Sequence, residues 1–226
     1  VEISAAYDRC LLSQELATSL RELFNRVARI EAPVRVDAQQ AIYANGDDDD
    51  AMYLIESGQV KLSMASAEGK DCLLAIYTAG EAFGESCFGS GKRFENATAM
   101  QPTVVRRASR RALLNEAERA RGTETLLRHV VSRLVERQTA VFDLVTMPSE
   151  QRLAKVLLGF ADKLGKVEGA FVSLERISHE DLSQMVGTTR PRITAFMQRF
   201  RQLGLIETAG RAIKVDHAKT RAFLEE

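Results

Sequence analysis

The chain has 226 residues, 45% of them hydrophobic, and its 31 basic side chains balance 31 acidic ones. That length accommodates two domains, and that apolar content supports a globular core. The balanced charge excludes a uniformly basic nucleic-acid coat or an acidic tail, and no apolar run approaches the roughly 20 residues of a membrane helix.

Residues 13–29 predict an amphipathic helix, with Ser13 as its cap and Leu16, Leu20, Leu23, Phe24 and Val27 on one face. To about residue 108 the pattern turns to short β-prone runs: 34–36, 41–43, 52–55, 60–64, 72–77 and 103–108. Gly46, Gly58, Gly69, Gly80 and Gly84 punctuate them. Strands at near-even spacing with glycine turns predict an antiparallel sandwich or barrel. The run Asp47-Asp48-Asp49-Asp50 reads as a solvated loop tip, since it lacks the spaced ligands of a calcium loop.

From about 109 the pattern is helical. A short piece over 109–116 is followed by an unbroken segment from Thr123 to Met147. Leu127, Val130, Leu134, Val141 and Leu144 form an a/d stripe along it, interrupted by Arg137. Val131, Val135 and Phe142 add a second apolar surface. Two faces need two partners, one inside the chain and one a second copy, so the stripe predicts a homodimer. Pro148 stops this helix, Ser149 is placed to cap the next one over 150–164, and from Pro148 the chain becomes a second domain. The second domain has 13 basic against 10 acidic residues, leaving 18 against 21 before it.

Residues 177–206 read ISHEDLSQMVGTTRPRITAFMQRFRQLGLI. Ser178 and Asp181 make a capping pair. Gly187 ends the first short helix, and Pro191 sits in the first turn of the second. Ile193, Phe196, Met197 and Phe200 form the buried face, in the grammar of a helix-turn-helix. The outer face carries Arg190, Arg192, Thr194, Arg199 and Arg201. Arginines at a helix N-terminus oppose its dipole, so an anion should complete the site. In double-stranded DNA, phosphates would take Ser178, Thr188, Thr189 and neighbouring N–H groups, and an arginine would reach a guanine edge. A hairpin turning near Ala209-Gly210 then places Arg211 and Lys214 on a wing. His179, at the start of the first short helix, reads as a surface or phosphate contact.

With those residues assembled, the chain resembles the CRP/FNR family of bacterial transcription regulators over about residues 20–226. The resemblance is carried by the glycine series through Gly84, the Phe83-Gly84-Glu85-Ser86 bend, the long helix and the segment VGTTRPRITAFMQRFRQLGLI. It implies an α+β chain: an N-terminal antiparallel β-roll of the jelly-roll, cyclic-nucleotide-binding type over 1–121, a dimerisation helix over 122–147, and a C-terminal winged helix-turn-helix over 148–226. It also implies a cytoplasmic homodimer on palindromic DNA, with RNA polymerase as a further partner and no membrane.

In cyclic-AMP-binding members the bend begins Gly-Glu and ends Arg-Ser-Ala, the glutamate holding ribose and the arginine phosphate. Here Gly84, Glu85 and Ser86 match the start, but Glu95, Asn96 and Ala97 stand at the end. A carboxylate facing a phosphate reverses the Coulomb term, so cyclic AMP is not the expected effector. A cyclic dinucleotide or another anion is the rival. Arg137 and Gln138 occupy the family's adenine positions, and an ion pair between Arg137 and Glu95 is expected. Arg93 lies two residues from Glu95 and would serve the phosphate only if the loop register shifts. Arg190 matches a base-reading arginine, while Pro191 and Ala195 replace a reading glutamate and a second arginine.

No cofactor is expected. Cys10, Cys72 and Cys87 have no CxxC pair or metal-ligand spacing with His129, His179 or His217. Cys87 reads as a small buried hydrophobe, with a thiol redox sensor as the alternative. No catalytic constellation is present: Ser86 lacks the glycine spacing of a nucleophile elbow. The competing class is a sensory adaptor whose helix-turn-helix binds protein rather than DNA.

Overall fold

The structure, a computed structural model, describes residues 2–27, 32–69, 71–89, 91–168, 171–175, 177–210 and 212–225. It is an α+β chain of two compact units, residues 1–65 with 74–136, and residues 66–73 with 137–226.

The N-terminal part begins with helix α1 (Glu2–Val27). Eight strands follow: β1 (Val34–Val36), β2 (Ala41–Tyr43), β3 (Ala51–Ser57), β4 (Gln59–Ala65), β5 (Asp71–Thr78), β6 (Ala82–Phe83), β7 (Asn96–Ala99) and β8 (Thr103–Ser109). They make two four-stranded sheets, β1-β8-β3-β6 and β2-β7-β4-β5. β8 runs antiparallel to β1 and β3, and β7 antiparallel to β2 and β4. β3 explains how the sheets are held. Its alternate residues Tyr53 and Ile55 join Tyr43, Tyr77 and Phe83 in a cluster drawn from both sheets. The intervening Met52 and Leu54 pack instead with Leu20, Leu23 and Phe24 of α1. A strand covered on both faces reads as an unbroken apolar run, which is why Ala51–Ile55 shows no alternation.

Helix α2 (Arg110–Arg119) starts on Ser109, whose Oγ accepts from Ala112 N at 3.3 Å. Helix α3 (Thr123–Thr146) then runs 24 residues without interruption. The second unit continues with α4 (Ser149–Leu164), β9 (Lys166–Glu168), β10 (Phe171–Glu175), α5 (His179–Val186), α6 (Arg190–Gln202), β11 (Ile206–Ala209), β12 (Ala212–Asp216) and α7 (His217–Glu225). Leu153, Leu157, Leu182, Ile193, Met197, Phe200 and Val215 are fully buried in it. Its sheet has the order β11-β12-β10-β9. Among the described residues, no helix is long and apolar enough to cross a membrane.

Four sequence readings change. α1 runs through Ser13, so that residue lies inside the helix and does not cap it. Pro148 is the N-cap of α4 and Ser149 is its first residue, with no side-chain cap bond. β9 and β10 extend the expected hairpin into a four-stranded sheet, and β6 and β7 were not anticipated either. Asn96-Ala97-Thr98-Ala99 has little intrinsic strand preference; its pairing with β2 and β4 holds it extended.

Candidate functional site

The helix-turn-helix is α5, a turn, and α6. Ser178 Oγ accepts from Asp181 N at 3.0 Å and donates to Asp181 Oδ2 at 2.6 Å. Gly187 closes α5 with φ 67° and ψ 49°, a left-handed conformation that glycine adopts without strain. A Cβ there would also stand 3.0 Å from Leu144 Cδ1. Thr189 is the N-cap of α6 and makes no side-chain cap bond, and no acidic residue lies in the helix's first turn. Thr189, Arg190 and Arg192 are exposed, and Thr188 and Thr194 are half-buried. The Arg192 guanidinium lies 5.7 Å from the centre of the Phe196 ring, which steadies it along the helix. Arg199 has a protein partner, donating to Glu150 Oε2 at 2.8 Å. Arg211 lies outside the described residues.

Arg152 of α4 gathers the carbonyl ends of two helices. Its Nε donates to Val186 O at 2.9 Å, and its Nη1 to Met147 O at 2.7 Å and Leu144 O at 3.2 Å. The end of α3 and the turn before α6 thus share one side chain.

The β-roll holds a buried charge cluster around the Gly84–Ser86 bend. Arg93 is 1% exposed. Its Nε and Nη2 donate to Asp49 Oδ2 at 3.2 and 2.7 Å, and its Nη1 to Gly84 O at 2.8 Å and Ser86 Oγ at 3.1 Å. Nη2 also bonds Ala51 O. A Cβ on Gly84 would sit 3.1 Å from both Arg93 Nη1 and Ala51 O, so the close approach needs glycine. Asp49 also accepts from Tyr53 at 2.8 Å and Arg107 at 3.1 Å. Burial alone would raise the Asp49 pKa, but hydrogen bonds from Arg93 and Tyr53 outweigh it and hold the carboxyl below its usual range. The Tyr53 phenol is pushed up to about 12 by burial and by Asp49.

Glu85 is claimed by α3. His129 Nε2 lies 2.5 Å from its Oε1, and Arg133 Nε 3.4 Å from the same oxygen. Burial works against the Glu85 charge, but His129 and then Arg133 hold its pKa low. Arg133 also stacks 4.3 Å from the centre of the Tyr77 ring and donates to Ala82 O at 3.1 Å. Glu95 Oε1 accepts from Tyr43 at 2.9 Å and from Ser86 at 3.1 Å. Burial and the Glu95 carboxylate push the Tyr43 phenol far up.

The sequence-predicted pocket residues fall in both compact units. Gly84, Glu85, Ser86 and Glu95 are brought together, while Ala97 is buried in the apolar cluster. Asn96 accepts from Asn45 N at 2.9 Å. Arg137 and Gln138 belong to the second compact unit, where they line an open groove with Val141, Phe142, Val145 and Thr146. Within the roll, Glu95 is held by Tyr43 and Ser86, and the buried ion pair is Arg93 with Asp49. Asp49 is 12% exposed, so the aspartate run is not merely a solvated tip. His129 and Arg133 were missed; their four-residue spacing, which puts them on one helix face, was the available signal. Cys87 is fully buried and burial pushes its thiol up to about 12, so the thiolate that a redox sensor needs is suppressed.

On α3 the whole stripe is open: Leu127 is 63% exposed, Val130 38%, Leu134 55%, Val141 62% and Leu144 53%. Val131, Val135 and Phe142 are exposed as well, so both apolar sets face outward, and the inner side is instead Leu126 and His129.

A two-sheet roll, a long helix and a helix-turn-helix with a β-wing define a class of protein, the sensor-regulator that reads DNA. Residues 33–120 match the cyclic nucleotide-binding domain and residues 151–219 the Crp-like helix-turn-helix domain. A CRP-like cAMP-activated global transcriptional regulator of Mycobacterium tuberculosis is 29% identical over 84% of this chain and 86% of its own length. The cyclic AMP receptor protein of Thermus thermophilus is 27% identical over 82% of each chain. In fold, FixK2 from Bradyrhizobium japonicum superposes with a TM-score of 0.75 at 18% identity, covering 84% of this chain and 96% of that one. The chain belongs to the CRP/FNR family of DNA-binding transcription regulators.

Proposed function

We propose that the protein is a homodimeric, sequence-specific regulator that binds palindromic operators and responds through its β-roll to a signal other than cyclic AMP. The observation that carries the reading is Arg190. It opens α6 exposed, with no acidic residue in that turn, and among the described residues its guanidinium makes no hydrogen bond or ion pair. A cation in that position opposes the helix dipole, and a base edge flanked by phosphates supplies what it lacks. The open α3 stripe supports the dimer. Two α6 helices held about 34 Å apart would enter successive major grooves. Transcriptional control of this kind implies a cytoplasmic chain that meets RNA polymerase.

The relatives named for cyclic AMP sharpen the effector question. Here the side chain that the resemblance assigns to ribose, Glu85, is occupied by His129 and Arg133. The one assigned to phosphate is a carboxylate, Glu95, 8% exposed. The nearest arginine, Arg93, is spent on Asp49 and two backbone carbonyls. A phosphate entering this cluster meets the Glu85 and Glu95 carboxylates, while the buried arginine of the bend is already committed to Asp49.

Three measurements test the reading. Light scattering should give a dimer. Anisotropy of labelled duplexes should show affinity falling steeply with salt, as counterion release requires; salt-indifferent binding would favour the protein-adaptor reading. Calorimetry with cyclic AMP should give no binding heat, and micromolar binding would overturn the effector part alone.

A further inference from the structure

We infer that His179 couples operator binding to the uptake of one proton, because its second ring nitrogen becomes a phosphate donor only when protonated. The inference rests on the DNA-binding reading above and adds a condition to it.

His179 is the first residue of α5, directly after the Ser178 cap, and is half-buried. Its Nδ1 lies 3.2 Å from Thr194 Oγ1. Thr194 has one hydroxyl hydrogen, which it donates to Arg190 O at 3.1 Å. That four-residue back-bond is the ordinary habit of a threonine inside a helix. A hydroxyl already spent as a donor can only accept from a neighbour. The Nδ1 atom must then carry the ring's hydrogen, and the neutral ring is left with a bare lone pair on Nε2. A phosphate oxygen offers only lone pairs, so the neutral ring gives it nothing. Protonated, the same nitrogen donates a charge-assisted hydrogen bond.

The ring's setting makes it a phosphate neighbour. Thr194 is one helical turn beyond Arg190 on α6, so His179 stands beside the row that reads DNA. The charged groups facing it from α6 are Arg190 and Arg201. On its own helix it is followed by Glu180 and Asp181, and the Asp181 carboxylate is engaged by Ser178 Oγ at 2.6 Å. Burial, then Arg190 and Arg201, hold the imidazole below its usual range, so the free protein carries it neutral at pH 7. Phosphates that neutralise those arginines lift the restraint. The sign follows: the pKa is higher in the complex than in the free protein. Affinity is full below the free value and is lost as pH rises toward the bound one, by up to about tenfold per pH unit. The other two histidines have carboxylate partners of their own, His129 with Glu85 and His217 with Asp162.

The test uses the full-length protein and a palindromic duplex recovered by selection from a random library. Calorimetry between pH 6 and 7.5 in buffers of differing ionisation enthalpy should show net proton uptake on binding, up to one proton per protomer. In His179→Gln the side-chain amide donates without titrating, so binding should persist with no proton uptake and a flat pH profile. Should that variant fold poorly, proton NMR of wild-type His179 should show its titration moving to higher pH when the duplex is added. Specific binding without proton uptake, uptake that persists in His179→Gln, or an unmoved titration would each overturn the inference while leaving DNA binding intact. Failure to bind any duplex at any pH would remove both.

Discussion

Replacing Arg93 with methionine tests whether the β-roll depends on its buried arginine. Methionine keeps much of the aliphatic volume but removes the five hydrogen bonds to Asp49, Gly84, Ser86 and Ala51. It leaves Asp49 12% exposed, with only Tyr53 and Arg107. Two carbonyls, on Gly84 and Ala51, also lose their guanidinium donor. Breaking one side of a buried pair costs about 3–5 kcal/mol, a large share of the roughly 5–15 kcal/mol that holds a domain. With no tryptophan in the chain, tyrosine fluorescence reports on the roll through Tyr43, Tyr53 and Tyr77. At an m-value of about 2 kcal/mol/M the urea midpoint should fall by about 2 M. Adding Asp49→Asn should recover part of the loss, because it removes the stranded charge. A fall worth under about 1 kcal/mol would place the pair among solvated ones and refute the reasoning.

Three further outcomes are expected. His129→Ala should cost about 1–3 kcal/mol at neutral pH by leaving Glu85 underpartnered. It should also move acid unfolding to higher pH: the Glu85 pKa is depressed in the folded chain, so its contribution is present above about 4.5 and is lost on acidification. Circular dichroism against pH reads both, and an unmoved acid limb would contradict the link. Arg190→Ala should lower operator affinity by about 1–3 kcal/mol while sparing scrambled duplexes. Arg199→Ala should weaken both equally and by less, since Glu150 already competes for that guanidinium; mobility shifts on the two duplexes distinguish them. Leu134→Glu, on the open face of α3, should convert a dimer to monomer in sedimentation, with loss of palindrome binding but an unchanged urea midpoint for the roll.

The helix-turn-helix was legible because its signals are local. Ser178, Gly187 and Pro191 each act on their own few residues of backbone, and the structure places each as expected. The cluster in the roll was not legible for the opposite reason. Asp49 and Arg93 are 44 residues apart, as are Glu85 and His129. Ser86 and Glu95 were predicted in one pocket, but their tyrosine and arginine partners come from strands and loops that only the closed sheets bring close. Charge-sign reasoning singled out Glu95 as a carboxylate in the bend; it could not find that Arg93 is the cation the roll keeps for itself. β9 and β10 escaped because they are short and carry Lys166, Glu168 and Glu175, so no apolar alternation announces them.

Arg152 removes slack at the end of α3. Because one planar guanidinium ties Met147 and Leu144 to Val186, a twist in the last turn of the long helix has no compliant segment in which to dissipate before the turn leading into α6. The 13 residues of α6 then act as a lever about 20 Å long. A tilt of about 10° at its root carries the far end about 3.5 Å, close to the spacing of one base step. Such a tilt turns Arg190 at the pivot and displaces Arg199 and Arg201 at the far end, so the two ends of the arginine row would meet a groove differently.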